Sequence, residues 1–156
     1  MQVDAAGLLG PEALHPFADW ADAVVPAQAG IYTIWTLADR AFIYVGIAGD
    51  GSERPGRPRG LKRRLGQHAK GDRSGDRFCI YVQDRFVLPL LTPADVAAIA
   101  ARRLSLDALV RAHVRQNLGF RAVPMDLAQA RAVELQLKRG AWQFGAPLLN
   151  PGSLPD

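Results

Sequence analysis

Two short runs rich in β-branched and aromatic residues, near 30–37 and 41–47, flank the polar stretch Ala38-Asp39-Arg40 and predict a β-hairpin. Ahead of it, residues 11–24 open with Pro11 and predict a short helix. A Gly, Pro and Arg-rich loop is expected from about 48 to 59. In LKRRLGQHA, Leu61 and Leu65 fall on one side at helical spacing. RFCIYVQDRFVLPL, residues 77–90, alternates and predicts a strand or a small hairpin. Two helices should follow. The first has Thr92 as N-cap, Pro93 in the first position and Asp95 in the first turn; the second runs from the cap Ser105 to a stop at Gly119. FRAVP predicts a short strand, and DLAQARAVELQLKRG a helix from the cap Asp126 to the terminator Gly140. The tail PLLNPGSLPD holds too much Pro and Gly to be helical. The expected fold is α/β of the α+β type. It has a small antiparallel or mixed sheet that starts with a hairpin, flanked by helices, in one domain of residues 29–156 behind a lead-in of 1–28.

The hairpin raises a question of register. If Ala38-Asp39-Arg40 is a three-residue turn, Thr36 opposes Phe42, Ile34 opposes Tyr44 and Tyr32 opposes Gly46. Side chains alternate along a strand, so Tyr32, Ile34, Phe42 and Tyr44 would share one face. The two tyrosines become diagonal neighbours, about 7–8 Å apart at Cα. Gly46 would leave open space opposite Tyr32 where a ligand could approach. A two-residue turn would instead place the tyrosines on opposite faces. Taken alone, an aromatic pair on a sheet packs a core more often than it lines a site.

Composition narrows the class. The chain of 156 residues is 49% apolar and 22% charged, as expected of a soluble globular domain. One cysteine excludes an internal disulfide, so a reducing, cytoplasmic setting is expected. The N-terminus lacks the pattern of a secretion signal, and no apolar run is long enough for a membrane span. The net charge of +4 is unevenly placed: residues 50–73 hold eight Lys or Arg against three acids, leaving the remainder slightly acidic. Such a cluster attracts polyanions or simply solvates a loop and a helix face.

Two helices carry candidate chemistry. Arg64 and His68 lie four apart, on a face adjoining the Leu61/Leu65 stripe, while Lys62 and Arg63 point elsewhere. Taken alone, they read better as a snorkelling Arg and a half-exposed His than as site residues. In the last helix Glu134 falls within the stripe of Leu127, Ala130, Val133 and Leu137. A carboxylate there needs an ion pair, a hydrogen bond or a metal; Arg64 could supply the pair. The three histidines, His15, His68 and His113, with the one cysteine are too dispersed for a Cys/His metal cluster, and Cys79 reads as a small core residue.

Together these pieces resemble the GIY-YIG nuclease superfamily. The resemblance rests on GIY (30–32), YVG (44–46), the arginine helix GLKRRLGQH, the glutamate in AVELQL and the asparagine in PLLN, in that order over residues 29–150. It implies a metal-dependent endonuclease that hydrolyses DNA phosphodiester bonds. Position by position it implies that Tyr32 and Tyr44 flank the attacking water and that Arg64 stabilises charge on the scissile phosphate. Glu134 would hold one Mg²⁺ or Mn²⁺, Asn150 would order the site, and His68 occupies a position where restriction enzymes of this superfamily can carry His or Tyr. The implied partner is DNA, with RNA as the alternative polynucleotide and no membrane. Arg57, Arg59, Lys62, Arg63 and Lys70 are the candidate contacts to its backbone.

Three features depart from that pattern. Ile47 stands where many members carry a lysine, YVG replaces YIG, and Arg64 and Glu134 are seventy residues apart. The stretch from about 72 to 118 therefore looks inserted, as a strand or hairpin plus two helices. A different class of reading is a nucleic-acid-binding module with weak or lost catalysis, using the basic segment as its surface. A nucleotide-binding protein, suggested by YVGIAGDG, is set aside because its glycines fit neither GxGxxG nor a P-loop.

Overall fold

The computed structural model describes residues 5–49 and 60–152. Within them helix α1 spans Ala5–Leu9, α2 Leu61–Lys70, α3 Arg77–Val82, α4 Pro93–Ala100, α5 Leu106–Asn117 and α6 Leu127–Lys138. Strands β1 (His15–Pro16), β2 (Gly30–Thr36), β3 (Phe42–Ala48) and β4 (Leu118–Pro124) form one sheet in the order β1-β4-β2-β3, with every pairing antiparallel. The α+β architecture expected from the sequence is therefore present. Helices cover both faces. Tyr32, Ile34 and Ile43 pack with Leu61 and Leu65 of α2, Phe78 and Val82 of α3, and Val110 and Val114 of α5. Ile31, Trp35, Phe42 and Val45 pack on the other side with Leu9 of α1 and Ala130 and Leu137 of α6. No described helix is long and apolar enough to cross a membrane.

Several local signals work as read. Thr92 and Asp95 form a reciprocal capping box at α4. Ser105 accepts a hydrogen bond from the Ala108 amide, and Asp126 one from the Gln129 amide. Gly140 follows α6 with a φ of 76°, a left-handed conformation that stops a helix without a Cβ penalty.

Four expectations are corrected. Residues 11–24 are not one helix but a short 3₁₀ turn, Pro11–Ala13, then β1, then a kinked 3₁₀ stretch, Phe17–Asp22. Pro16 explains this: it lacks an N–H and biases His15 towards extended backbone. Residues 77–90 are not a strand. They are helical throughout, as α3 followed by a wider turn, Gln83–Val87, and a 3₁₀ turn, Leu88–Leu90. Phe78, Cys79, Val82 and Val87 are the buried positions, a helical rather than an alternating spacing. The stretch 72–118 thus contributes three helices and no strand of its own ahead of β4. Gly119 does not stop α5, which ends at Asn117 and passes directly into β4.

The fourth correction concerns the hairpin. Tyr32 does oppose Gly46 and Ile34 does oppose Tyr44, but Phe42 opposes Trp35 because Ile43 is an extra residue in a β-bulge. The bulge sends Phe42 to the opposite face, where it packs on Trp35 at 4.9 Å between ring centroids. Ile43 takes its place beside Tyr32 and Ile34. The outer edge of β3 is closed by the tail. The amides of Leu148 and Leu149 donate to the carbonyls of Phe42 and Ile43, and the Asn150 side chain bonds both the N–H and the C=O of Val45.

Candidate active site around Tyr32 and His68

Tyr32 and Tyr44 share the face of the sheet covered by α2, their rings 6.3 Å apart and nearly parallel. The expected three-residue turn is not what sets this register. The Thr36 amide donates to the Ala41 carbonyl, so residues 37–40 form the loop. The bulge at Ile43, between that loop and the tyrosines, shifts the pairing by one and brings both rings to one face. The space opposite Tyr32 is not open, however. A Cβ at position 46 would overlap the Tyr32 hydroxyl and the ring carbon that bears it. Gly46 is required because Tyr32 itself fills the gap, which corrects the expectation of a ligand approach there.

From α2, His68 reaches the tyrosines. Its Nε2 lies 2.7 Å from Tyr32 Oη and its Nδ1 2.6 Å from Asp76 Oδ2. Tyr32, His68 and Asp76 are 1%, 1% and 2% exposed, so the chain of hydrogen bonds runs through a dry interior. His68 is fully buried, not the half-exposed side chain its position on the helix suggested. Phe78 and Tyr44 pack against its ring, at 4.5 and 6.1 Å between centroids.

Asp76 is the residue that sequence reasoning missed. It caps α3, with Oδ1 accepting from the amides of Phe78 and Cys79, while Oδ2 also accepts from the Cys79 thiol at 3.3 Å. An aspartate immediately ahead of an apolar run was the available signal, hidden by reading that run as a strand.

The titration behaviour follows from burial and neighbours. Burial, together with the nearby Tyr44, raises Tyr32 well above the usual phenol value, against a smaller opposing effect of Arg64. Burial pushes Tyr44 up to about 12, helped by the Asp76 charge and again opposed by Arg64. Burial also lowers His68, outweighing the hydrogen bond and charge of Asp76 that favour the imidazolium. For Asp76 burial acts upward, but the donors from His68 and Cys79 hold it below the ordinary carboxylate value. At neutral pH the set is therefore a neutral imidazole against an ionised carboxylate. Its Nδ1–H points at Asp76, and its Nε2 accepts from the Tyr32 hydroxyl.

Arg64 is half-buried one turn before His68 and donates to Gln67 Oε1 at 3.4 Å. Its charge acts on both tyrosines and on His68. Glu134 comes from α6, which packs on the opposite face; its charge also acts on both tyrosines. The carboxylate is 19% exposed and pairs through Oε1 with Lys138 at 3.0 Å, not with Arg64. Asn150 bonds the backbone of β3 one residue past Tyr44. Lys62, Arg63 and Lys70 lie on α2, Lys62, Arg63 and Lys70 all facing away from its buried Leu61/Leu65 stripe. Arg57 and Arg59, with most of the Gly/Pro/Arg loop, lie outside the described residues.

Two donor sets bear on metals. Glu134 is a single carboxylate whose charge is felt at both tyrosines from the opposite side of the sheet. One carboxylate suits Mg²⁺, an ion that keeps several waters and takes one or two carboxylates plus substrate phosphate. His68, Asp76 and Cys79 also converge, all within 4.8 Å. They lie within twelve residues of one another, but on two different helical elements, so their spacing alone does not place them together. Around zinc, with bonds of about 2.0–2.1 Å, nitrogen and oxygen donors stand about 3.3 Å apart. The 2.6 Å between Nδ1 and Oδ2 is instead a hydrogen-bond distance. Burial and the Asp76 charge also raise the Cys79 thiol, which keeps it protonated. The cluster is a hydrogen-bonded unit.

Compared with family models, curated proteins and solved structures, the chain matches none of them. The functional reading therefore rests on the side chains themselves.

Proposed function

We propose that the protein is a metal-dependent endonuclease that hydrolyses DNA phosphodiester bonds. The observation that carries this reading is the 2.7 Å hydrogen bond from Tyr32 to His68, beside Tyr44 and within the field of Arg64. A buried tyrosine has no stable charged form at neutral pH, so it serves as a base only if its own proton has somewhere to go. His68 Nε2 is that destination. As water loses a proton to Tyr32 Oη, the Tyr32 proton passes to His68 Nε2. The water oxygen bonds to phosphorus, the bond from phosphorus to the leaving sugar oxygen breaks, and that oxygen takes a proton from solvent. His68 Nε2 then returns its proton to Tyr32 Oη, and the proton that Oη took from the water leaves with the next water to enter the site.

Tyr44, the less buried of the two rings, holds the water. Arg64 presents a planar fork of donors suited to non-bridging phosphate oxygens. Glu134 would hold the Mg²⁺ or Mn²⁺ ion, which supplies Lewis-acid stabilisation of the phosphate and leaving group when bound. Asn150 fixes the β3 backbone beside Tyr44. Lys62, Arg63 and Lys70, exposed on α2, would meet the polyanion backbone, and cytoplasmic DNA is the substrate this reading envisages.

One observation favours the second reading, a nucleic-acid-binding module without cleavage: the Tyr32 hydroxyl is fully engaged inside the fold. Purified protein incubated with plasmid and branched DNA, with Mg²⁺ or with EDTA, separates the two. Nicking that needs Mg²⁺ and disappears in Glu134→Ala supports the nuclease. Salt-dependent binding with no strand scission under any condition supports the module.

A further inference from the structure

We propose that Asp76 is a positioning residue for His68, holding the tautomer that leaves Nε2 bare to receive the proton of Tyr32. The helical segment between α2 and β4 would then supply part of the reaction machinery instead of only covering the core. This inference rests on the nuclease reading for its kinetic consequence, but not for its structural content.

The argument begins with what each atom can do. An ionised carboxylate only accepts hydrogen bonds. Asp76 Oδ2 lies 2.6 Å from Nδ1 of His68, so that nitrogen must carry the proton. In the other tautomer two lone pairs would face each other at that distance in a dry interior. Nε2 is left as an acceptor, 2.7 Å from Tyr32 Oη. The imidazole cannot turn aside to evade this choice, because Phe78, Tyr44 and Tyr32 pack around it.

Asp76 is in turn immobilised by α3. Its Oδ1 accepts from the amides of Phe78 and Cys79, and Oδ2 also takes the Cys79 thiol. When the relay delivers a proton, the imidazolium forms against a fixed negative charge, which a reorganising solvent would supply more slowly and less strongly. The groups facing His68 are Tyr32 from β2, Tyr44 from β3, Asp76 and Cys79 from the start of α3, and Arg64 from its own helix. Among them only Asp76 favours the charged imidazole.

Capping α3 and orienting His68 use different oxygens, and this makes the two roles separable. Asparagine caps a helix about as well as aspartate, but its amide nitrogen cannot accept from Nδ1–H. Asp76→Asn therefore keeps the cap and removes the orienting contact.

The first measurement is the ¹⁵N spectrum of His68 in the wild-type protein at neutral pH, which needs neither a variant nor activity. A protonated Nδ1 with a bare Nε2 is expected, and a protonated Nε2 overturns the proposal. If that tautomer is found and the protein never cuts DNA, the nuclease reading fails while the positioning contact stands. For Asp76→Asn, with thermal unfolding confirming a folded protein, the tautomer should switch and kcat should fall by about a hundredfold or more, with KM little changed. The acid limb of its pH profile should move to lower pH, since the carboxylate that favours the imidazolium is gone. Cleavage within about threefold of wild type, with an unmoved acid limb, overturns the proposal.

Discussion

Tyr32 occupies the space that Gly46 leaves vacant on the neighbouring strand, so its hydroxyl sits where a side chain at position 46 would be. The second glycine of the hairpin thus serves the first tyrosine. Gly46→Ala should force Tyr32 out of its rotamer and destabilise the fold by about 1–3 kcal/mol, as overpacking does. Urea unfolding measures the loss. In a Tyr32→Ala background the same substitution should cost much less, and an undiminished cost there would contradict the contact.

Removing only the hydroxyl tests the next link. Tyr32→Phe leaves His68 Nε2 without its donor in a dry interior, a penalty of about 1–3 kcal/mol. The change is isosteric apart from one oxygen, so near-UV circular dichroism should stay native-like while the urea midpoint falls. Cleavage should be lost, because the proton route through Oη no longer exists.

Glu134 should behave in the opposite way. It is partly exposed, and its ion pair with Lys138 is an i, i+4 pair on a helix. Such pairs contribute only about 0.3–0.5 kcal/mol. Glu134→Gln is therefore expected to abolish Mg²⁺-dependent nicking while leaving thermal stability almost unchanged. A large fall in the melting temperature with retained nicking would reverse the assignment.

Stability should fall on mild acidification, and the sign follows from His68. Its pKa is lowered in the folded protein, so the unfolded chain binds the proton first. The contribution is fully present above the unfolded value of about 6.5 and is lost as pH falls through the lower folded value. Asp76, also lowered, adds a second loss in more acid solution, below the usual carboxylate range. Urea midpoints should hold between pH 7 and 8 (about one unit above the His reference value) and decline below it. His113, also lowered by burial, adds to this first decline, so in His68→Gln the decline should shrink but not vanish.

The cations of α2 contribute through salt. Replacing Lys62, Arg63 and Lys70 by Ala should weaken DNA binding and flatten the dependence of log K on log salt, by about 0.9 for each phosphate that is no longer neutralised. Fluorescence anisotropy over a salt series measures this, and an unaltered slope would remove these residues from the interface.

The contrast between what was legible and what was not follows the range of each interaction. The caps at Thr92, Ser105 and Asp126, and the stop at Gly140, depend on contacts within a few residues. Pro16, which breaks the first helix, is a local signal of the same kind that the helical pattern of 11–24 conceals. The bulge at Ile43 was not legible, because the sheet accommodates it only where Phe42 finds Trp35 on one face and Ile43 finds the α2 side on the other. Residues 77–90 alternate well enough to suggest a strand; the packing of Phe78, Cys79 and Val82 against α2 and α5 makes them helical.

The candidate site divides along the same line. The sequence by itself determined that Arg64 and His68 lie one turn apart on a helix, since helix periodicity settles it. The shared face of Tyr32 and Tyr44, by contrast, depends on the bulge at Ile43 that only the packed sheet selects. Only the tertiary structure decided that His68 is buried against Tyr32 and that Asp76 stands behind it. The pair of Glu134 with Lys138, four residues on in the same helix, is instead a local contact that helical spacing offers. Residues 32, 68 and 76 share no local pattern. They meet because α2 and α3 pack on the same sheet face, and in that dry space each polar atom must find a partner.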